Sequence, residues 1–363
     1  MTAPALTVRG LTARLVRVPM RRPLGTSARR ITDAPLLLLD LTTEEGVTGR
    51  GYLFCPHESA GHAAMPLIQE AATLLAGTPA APADVRRRLA GHYRLLGMRG
   101  LVATISAGID MTCWDALAAA AGRPLATLLG ARPRPIPAYN STGLGLLDPA
   151  EAADEAVALA DGFPAVKMRL GRTDARADLA AVRAVRAALP EGIRLMADFN
   201  QALRRDEARD RCRMLDGEGL TWIEEPIRHD DYVGAAELTA ALETPVQLGE
   251  NLVGPRAMAD ALAHHAADLV MPDADRIGGV TGWQAAATLA DLAELPMSAH
   301  LYPEISAHLL AATPTAHWLE YVDWAAPILT EPLTVANGHV TAPDRPGTGI
   351  TWDEDAVTRY RAG

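Results

Sequence analysis

From residue 136 onward the chain repeats one unit eight times: a short apolar run of strand length, then an alanine-rich stretch with helical spacing. The apolar runs are IPAYNS, AVKMRL, RLMADFN, LTWIEEP, PVQLGE, DLVMPD, PMSAHL and HWLEYV. Segments such as ARADLAAVRAVRAAL and GGVTGWQAAATLADLAEL lie between them. Strands separated by crossover helices pair in parallel, and eight of them close into an α/β barrel of the TIM type. The rival is an open, doubly wound sheet, which would carry a glycine-rich phosphate loop after its first strand. None is present.

Nearly every one of these runs ends in a reactive polar residue. In order they are Lys167 with Arg169, Asp198, Glu224 with Glu225, Glu250, Asp273, His300 and Glu320. Any one of them alone reads as a surface loop charge. Together they mark the carboxyl ends of the strands, where barrels of this kind build their active sites. Asp198, Glu224 and Glu250 fall on adjacent strands, the third, fourth and fifth of the eight. Three converging carboxylates repel one another unless a cation joins them. Oxygen ligands without cysteine favour Mg²⁺, with Mn²⁺ as a substitute, over zinc. Glu224 and Glu225 should point to opposite strand faces, so only Glu224 is expected as a ligand, with Glu225 supporting the site or packing under the loop.

Asp273 beside His300 is a carboxylate–imidazole pair suited to a general base. Lys167, expected across the barrel mouth, would neutralise a substrate carboxylate or act as a base. Glu320, if protonated, would donate a hydrogen bond to that carboxylate. The assembled chemistry is removal of the proton next to a carboxylate, a weakly acidic position that needs cationic help and a well-placed base.

The first part of the chain has a different rhythm. Residues 36–54, LLLLDLTTEEGVTGRGYLF, read as two strands joined by a turn, and residues 58–120 as helices. The expected organisation is an α+β capping domain (1–130), a barrel (131–324) and a tail (325–363) that packs back on the cap. A net charge of −10 argues against nucleic-acid binding. The apolar stretches are broken by Pro, Gly or charge, so no membrane span is expected. Cys55, Cys113 and Cys212 have no zinc-ligand spacing, and the expectation is a reduced, cytoplasmic protein. A Cys55–His57 nucleophile pair has no other support in the chain.

The motifs VKMR (166–169), ADFNQ (197–201), WIEEP (222–226), LGEN (248–251), MPDADRIGGVTGW (271–283) and SAHLYPEISAHLLAATPTAHWLEY (298–321) resemble the mandelate racemase subgroup of the enolase superfamily. So does SAGIDMTCWDAL (106–117) in the cap. The resemblance spans the whole chain. It implies metal binding by Asp198, Glu224 and Glu250, an Asp273–His300 base, and Lys167 and Glu320 around the substrate carboxylate. It also implies substrate contacts from Ser141 and Asn200, and a homo-oligomer acting on a small-molecule carboxylate.

Two departures bear on the reaction. Racemases of this subgroup carry Lys-x-Lys, whose second lysine is the opposite-face base. Here Arg169 stands in its place, and arginine is a poor base because a guanidinium holds its proton. The lid over the site, MRRPLGTSARRITDAP (20–35), is rich in arginine, Arg29 among them, where the subgroup has an apolar lid. Tyr52 and Phe54 remain as apolar walls. Racemisation or epimerisation of a 2-hydroxy acid is the first expectation. Dehydration of an acid sugar, with His300 as the single acid/base, is the alternative.

Overall fold

The computed structural model describes residues 5–362 apart from residue 28. Eight parallel strands close a barrel: β4 (Ile136–Asn140), β5 (Ala165–Arg169), β6 (Arg194–Asp198), β7 (Leu220–Glu224), β8 (Val246–Leu248), β9 (Leu269–Val270), β10 (Met297–Ala299) and β11 (Ala316–Tyr321). Each pairs with the next, and β11 returns to β4 with Leu319 opposite Ala138. All eight apolar runs are strands, several of them only two or three residues long.

Ahead of the barrel lies an antiparallel sheet of β1 (Val8–Gly25), β2 (Arg30–Thr43) and β3 (Thr48–Phe54). Strand β1 was not anticipated, and it changes the lid. Most of residues 20–35 continue the β1–β2 ladder, with Gly25 opposite Arg30, and at the tip Thr26 N–H donates to Arg29 O at 2.8 Å. The tip sits on the barrel. Leu146 N–H donates to Gly25 O at 3.0 Å, and the Ser27 hydroxyl donates to Phe199 O at 3.1 Å.

The helix Gly100–Ala120 is long and apolar enough to cross a membrane by length and composition alone. Its apolar face is instead buried on β3. A Cβ at Gly49 would fall 2.0 Å from Thr112 O, so glycine there is what lets helix and strand approach this closely. Its two buried acids are joints. Asp110 accepts from Thr281 N–H of the barrel helix Gly279–Leu292 at 2.9 Å. Asp115 accepts from Arg50 N–H of β3 at 2.7 Å and from the Thr348 hydroxyl of the tail at 2.8 Å.

The tail divides between two surfaces. A small hairpin, β12 (Val335–Ala336) and β13 (His339–Val340), adds to the barrel strand β4, with His339 opposite Pro137. Residues 136 and 137 precede the β4–β11 ladder, so their backbone is free to take this partner. Later residues reach the cap: Trp352 Nε1 donates to Asp40 at 2.9 Å, and Val16 bridges Arg361.

His308 locks three of these parts together. Its Nδ1 accepts from Ala126 N–H at 3.2 Å and its Nε2 donates to Thr348 O at 3.1 Å. Burial lowers its pKa from 6.5 to about 4, and the neutral ring uses both nitrogens. The unfolded chain binds a proton near 6.5 that the folded protein resists, so stability drops as pH falls through that window. Urea unfolding between pH 6.5 and about 4 should show this slope. His308→Gln should flatten it, leaving the share of His317, which is also lowered to about 4.

Candidate active site

Side chains two apart on a strand share a face, and this alternation stacks the barrel interior in layers. Tyr139, Ala165, Met196, Trp222, Leu269, Met271 and Trp318 form one buried cluster. The next inward positions are Ser141, Lys167, Asp198, Glu224, Asp273 and Glu320, all buried. An apolar floor therefore carries an ionisable layer at the carboxyl ends of the strands. Trp222 belongs to both, since its indole N–H donates to Glu224 Oε2 at 3.1 Å.

Glu250 breaks the alternation. Gln247 faces the interior, with its amide on Met271 Sδ at 3.3 Å, so the inward position next in line is 249. That residue is glycine with φ 147°, and a Cβ there would lie 2.7 Å from the Met271 backbone. The turn it makes brings Glu250 to Asp198 and Glu224. One ligand oxygen from each of the three lies within 4.8 Å of the others.

These residues fit a hard divalent cation. Burial raises the Glu224 pKa to about 8; Lys167 opposes the rise, while Asp198, Glu250 and Glu320 add to it. Glu250 Oε2 is buried without a hydrogen-bond partner. Asp198 is already oriented, accepting from Asn200 N–H at 2.7 Å and Asn200 Nδ2 at 2.9 Å. An acidic layer short of positive charge, with a carboxylate oxygen whose only near polar neighbour among the described residues is His300 Nε2 at 3.3 Å, is what Mg²⁺ satisfies.

Lys167 lies inside this cluster and not across the mouth from it. Its ammonium is 2.8 Å from Glu224, 2.9 Å from Glu320 and 3.4 Å from Asp198. Burial pulls its pKa down, but these carboxylates outweigh it and the net shift is well upward. Glu320 corrects the expectation of a protonated donor. Its Oε1 accepts from the Ser141 hydroxyl at 2.6 Å and from Lys167, and its Oε2 accepts from Leu301 N–H at 3.0 Å. Burial would raise its pKa, yet Lys167, His300 and Arg169 hold it well below the usual carboxylate range. Glu320 is an ionised acceptor.

Arg169 is fixed on backbone. Nη1 donates to Gly143 O at 2.8 Å and Ser141 O at 3.3 Å, and Nη2 to Ser141 Oγ at 2.7 Å. Glu225 stands outside the trio of Asp198, Glu224 and Glu250 and supports the site, as expected. The strand ends at Glu224, Glu225 takes a left-handed φ of 34°, and its carboxylate meets Asn251 Nδ2 at 2.7 Å.

The dyad is formed. His300 Nδ1 lies 2.6 Å from Asp273 Oδ2, and the other ring nitrogen lies 3.3 Å from Glu250 and 3.7 Å from Glu320. Burial alone would lower the His300 pKa; Glu250, Glu320 and Asp273 reverse this and push it up to about 10. A divalent cation on Glu250 would weaken the first of those raising contributions.

The remaining expected contacts stand further out. Tyr52 is buried, with its hydroxyl on Glu304 Oε2 at 2.6 Å and its ring 5.1 Å from Tyr302. Phe54 packs on Trp324 with ring centroids 4.9 Å apart. Arg29 Nη1 lies 2.7 Å from His57 Nδ1. The lid arginine Arg21 pairs with Asp323 at 3.3 Å, largely in solvent. Burial raises the Cys55 thiol to about 12, which suits packing and not nucleophilic attack. Sequence reasoning missed Asn251 and Arg276. Asn251 lies in the LGEN motif directly after Glu250, and nothing in Arg276's position announces its partner.

Residues 150–356 match the family described as enolase C-terminal domain-like, and residues 9–130 the mandelate racemase / muconate lactonizing enzyme N-terminal domain. The chain belongs to this family and is a magnesium-dependent enzyme of the enolase superfamily. A crystal structure of an enolase from the alpha-proteobacterium bal199 with bound magnesium is 46% identical. It has a TM-score of 0.96 and covers 98% of this chain and 100% of that one. A Bradyrhizobium enolase complexed with magnesium and mandelic acid is 43% identical, with a TM-score of 0.95 and full coverage of both chains (100% each). L-talarate/galactarate dehydratase from Salmonella typhimurium is 31% identical over 331 residues, 90% of this chain and 82% of the relative. Relatives of this chain thus include dehydratases, and epimerases are also among them.

A ligand that binds only the folded state stabilises it, by about 2.7 kcal/mol at one hundred times its Kd. Mg²⁺ should therefore raise the Tm and a chelator should reverse the gain. Glu250→Gln should abolish most of the gain. Gly249→Ala, by displacing Glu250, should weaken it, and the same melts will show whether it does.

Proposed function

We propose that the enzyme removes the α-proton of an acid sugar with His300 and expels the β-hydroxyl as water, giving a 2-keto-3-deoxy acid. The observation that carries this reading is the binding of Arg169 to Ser141 and Gly143. A guanidinium is no base for the second face of a substrate, and this one is tied to two carbonyls and the Ser141 hydroxyl. Lys167, held among three carboxylates, keeps its proton as well. His300 is left as the group that can both take and return a proton, once a cation on Glu250 offsets the largest of the contributions that hold its pKa at about 10.

Magnesium held by Asp198, Glu224 and Glu250 would supply positive charge where the substrate carboxylate gains electron density. Lys167 adds a second positive charge beside that carboxylate. Asp273 holds the His300 tautomer with the far nitrogen facing the site. His300 takes the α-proton, and the imidazolium then gives it to the departing β-hydroxyl. The C–O bond breaks, water leaves, and the resulting enol becomes the ketone. The histidine ends as it began, so one base suffices.

Racemisation of a 2-hydroxy acid is the second reading, favoured by the likeness to the Bradyrhizobium structure complexed with mandelic acid. It needs a proton donor on the opposite face, a task that would fall to Lys167.

Incubation with Mg²⁺ in D₂O separates the two. Dehydration of an acid-sugar panel should yield a keto acid trapped by semicarbazide. Loss of optical rotation from mandelate, with deuterium uptake and no keto product, would overturn dehydration in favour of racemisation. His300→Asn should lower turnover by roughly 10²–10⁴-fold while Mg²⁺ still binds, as general acid–base groups do when removed. Arg169→Lys should lower turnover by dehydration, because the Ser141–Gly143 turn loses its anchor. A gain in racemisation from that variant would support the two-base reading instead.

A further inference from the structure

Glu250 is presented to the metal site by a device outside the ligand set. Asn251 uses both hydrogens of its amide on carboxylates: Nδ2 is 2.9 Å from Glu250 Oε1 and 2.7 Å from Glu225 Oε2. Its Oδ1 accepts from Arg276 Nη1. An asparagine amide can rotate by half a turn with little change in shape. Rotated here, it would set its oxygen against two carboxylates and its NH₂ against a guanidinium. Arg276 therefore dictates which end of Asn251 faces the acids.

Arg276 is itself well placed to do this. It lies on the short helix Ala274–Ile277, whose N-cap is Asp273. Asp273 Oδ1 accepts from Asp275 N–H at 2.7 Å, while Oδ2 holds His300 at 2.6 Å. One helical turn thus carries the partner of the base and, through Asn251, the support of a metal ligand. With Oε1 held by the amide, Glu250 keeps Oε2 buried and without a hydrogen bond, facing His300 Nε2 at 3.3 Å.

We propose that Arg276 and Asn251 are positioning residues for Mg²⁺ binding: Arg276 orients the Asn251 amide, and the amide fixes Glu250 with one oxygen turned to the metal. The proposal rests on Glu250 as a metal ligand and is independent of which reaction the enzyme performs.

The test is calorimetric titration of the metal-stripped protein with MgCl₂. Groups that orient metal ligands typically account for roughly 10–100-fold in affinity, and a loss of that size is expected for Arg276→Met. Arg276→Lys should recover part of it, since an ammonium still donates to Oδ1. Arg256→Met, on the neighbouring helix Gly254–Ala263, should bind as the wild type does. The melting temperature without metal is read in parallel, because a merely structural role would move that and leave affinity alone. Wild-type Mg²⁺ affinity in folded Arg276→Met overturns the proposal. If that variant does not fold, Asn251→Ala takes its place with the same expectation, and unchanged affinity there overturns it. Glu250→Gln separates the two levels. If it too binds Mg²⁺ normally, the metal site has been misassigned; if it alone loses affinity, only the clamp fails.

Discussion

Four carboxylates, Asp198, Glu224, Glu250 and Glu320, meet in a buried layer at one end of the barrel, and their mutual repulsion governs the arrangement around them. Ionised groups in such a place are costly unless paired. Lys167 answers part of the charge, touching three of the four. Burial first, and then the repulsion Lys167 leaves unanswered, raise the pKa of Glu224 to about 8. A divalent cation completes the balance, so metal binding and the integrity of this layer are one electrostatic problem.

The same economy of groups runs outward from the layer. Asp273 caps a helix and orients His300. Asn251 joins Glu225 to Glu250 and is itself oriented by Arg276. Trp222 lies in the apolar floor and donates to Glu224. Arg169 binds the turn that carries Ser141, which in turn donates to Glu320. Each side chain that could do chemistry is held by one that does not. That rigidity makes the identity of residue 169 informative: its arginine is fastened to the Ser141 and Gly143 carbonyls and the Ser141 hydroxyl, and the proposed one-base chemistry rests on that contact.

Much of this was legible in the chain. The strand–helix rhythm specified the barrel, and the polar residues ending each apolar run specified its reactive end, because side-chain alternation is a local property. The metal triad followed from three such residues on neighbouring strands. Where geometry depends on a single unusual backbone angle, the reading ran out. Alternation from Gln247 points to residue 249, and only the glycine conformation brings Glu250 inward. The lid looked like a loop, yet most of it is a hairpin, since β1 and β2 pair beyond the point where apolar alternation fades.

The sequence by itself determined the fold class, the side of the barrel that carries chemistry, and the residue types available there, for these depend on periodicity and on the cost of burying charge. Tertiary structure decided the protonation and partners of those residues. Glu320 is an ionised acceptor because Lys167, Ser141 and the Leu301 amide converge on it from three separate segments. Lys167 belongs to the carboxylate cluster because its strand lies beside that of Asp198. Arg276 reaches Asn251 from the helix Ala274–Ile277, which follows the next strand of the barrel. Coulombic and hydrogen-bond energies depend on distances of a few ångströms between groups far apart in the chain, and only the folded barrel sets those distances.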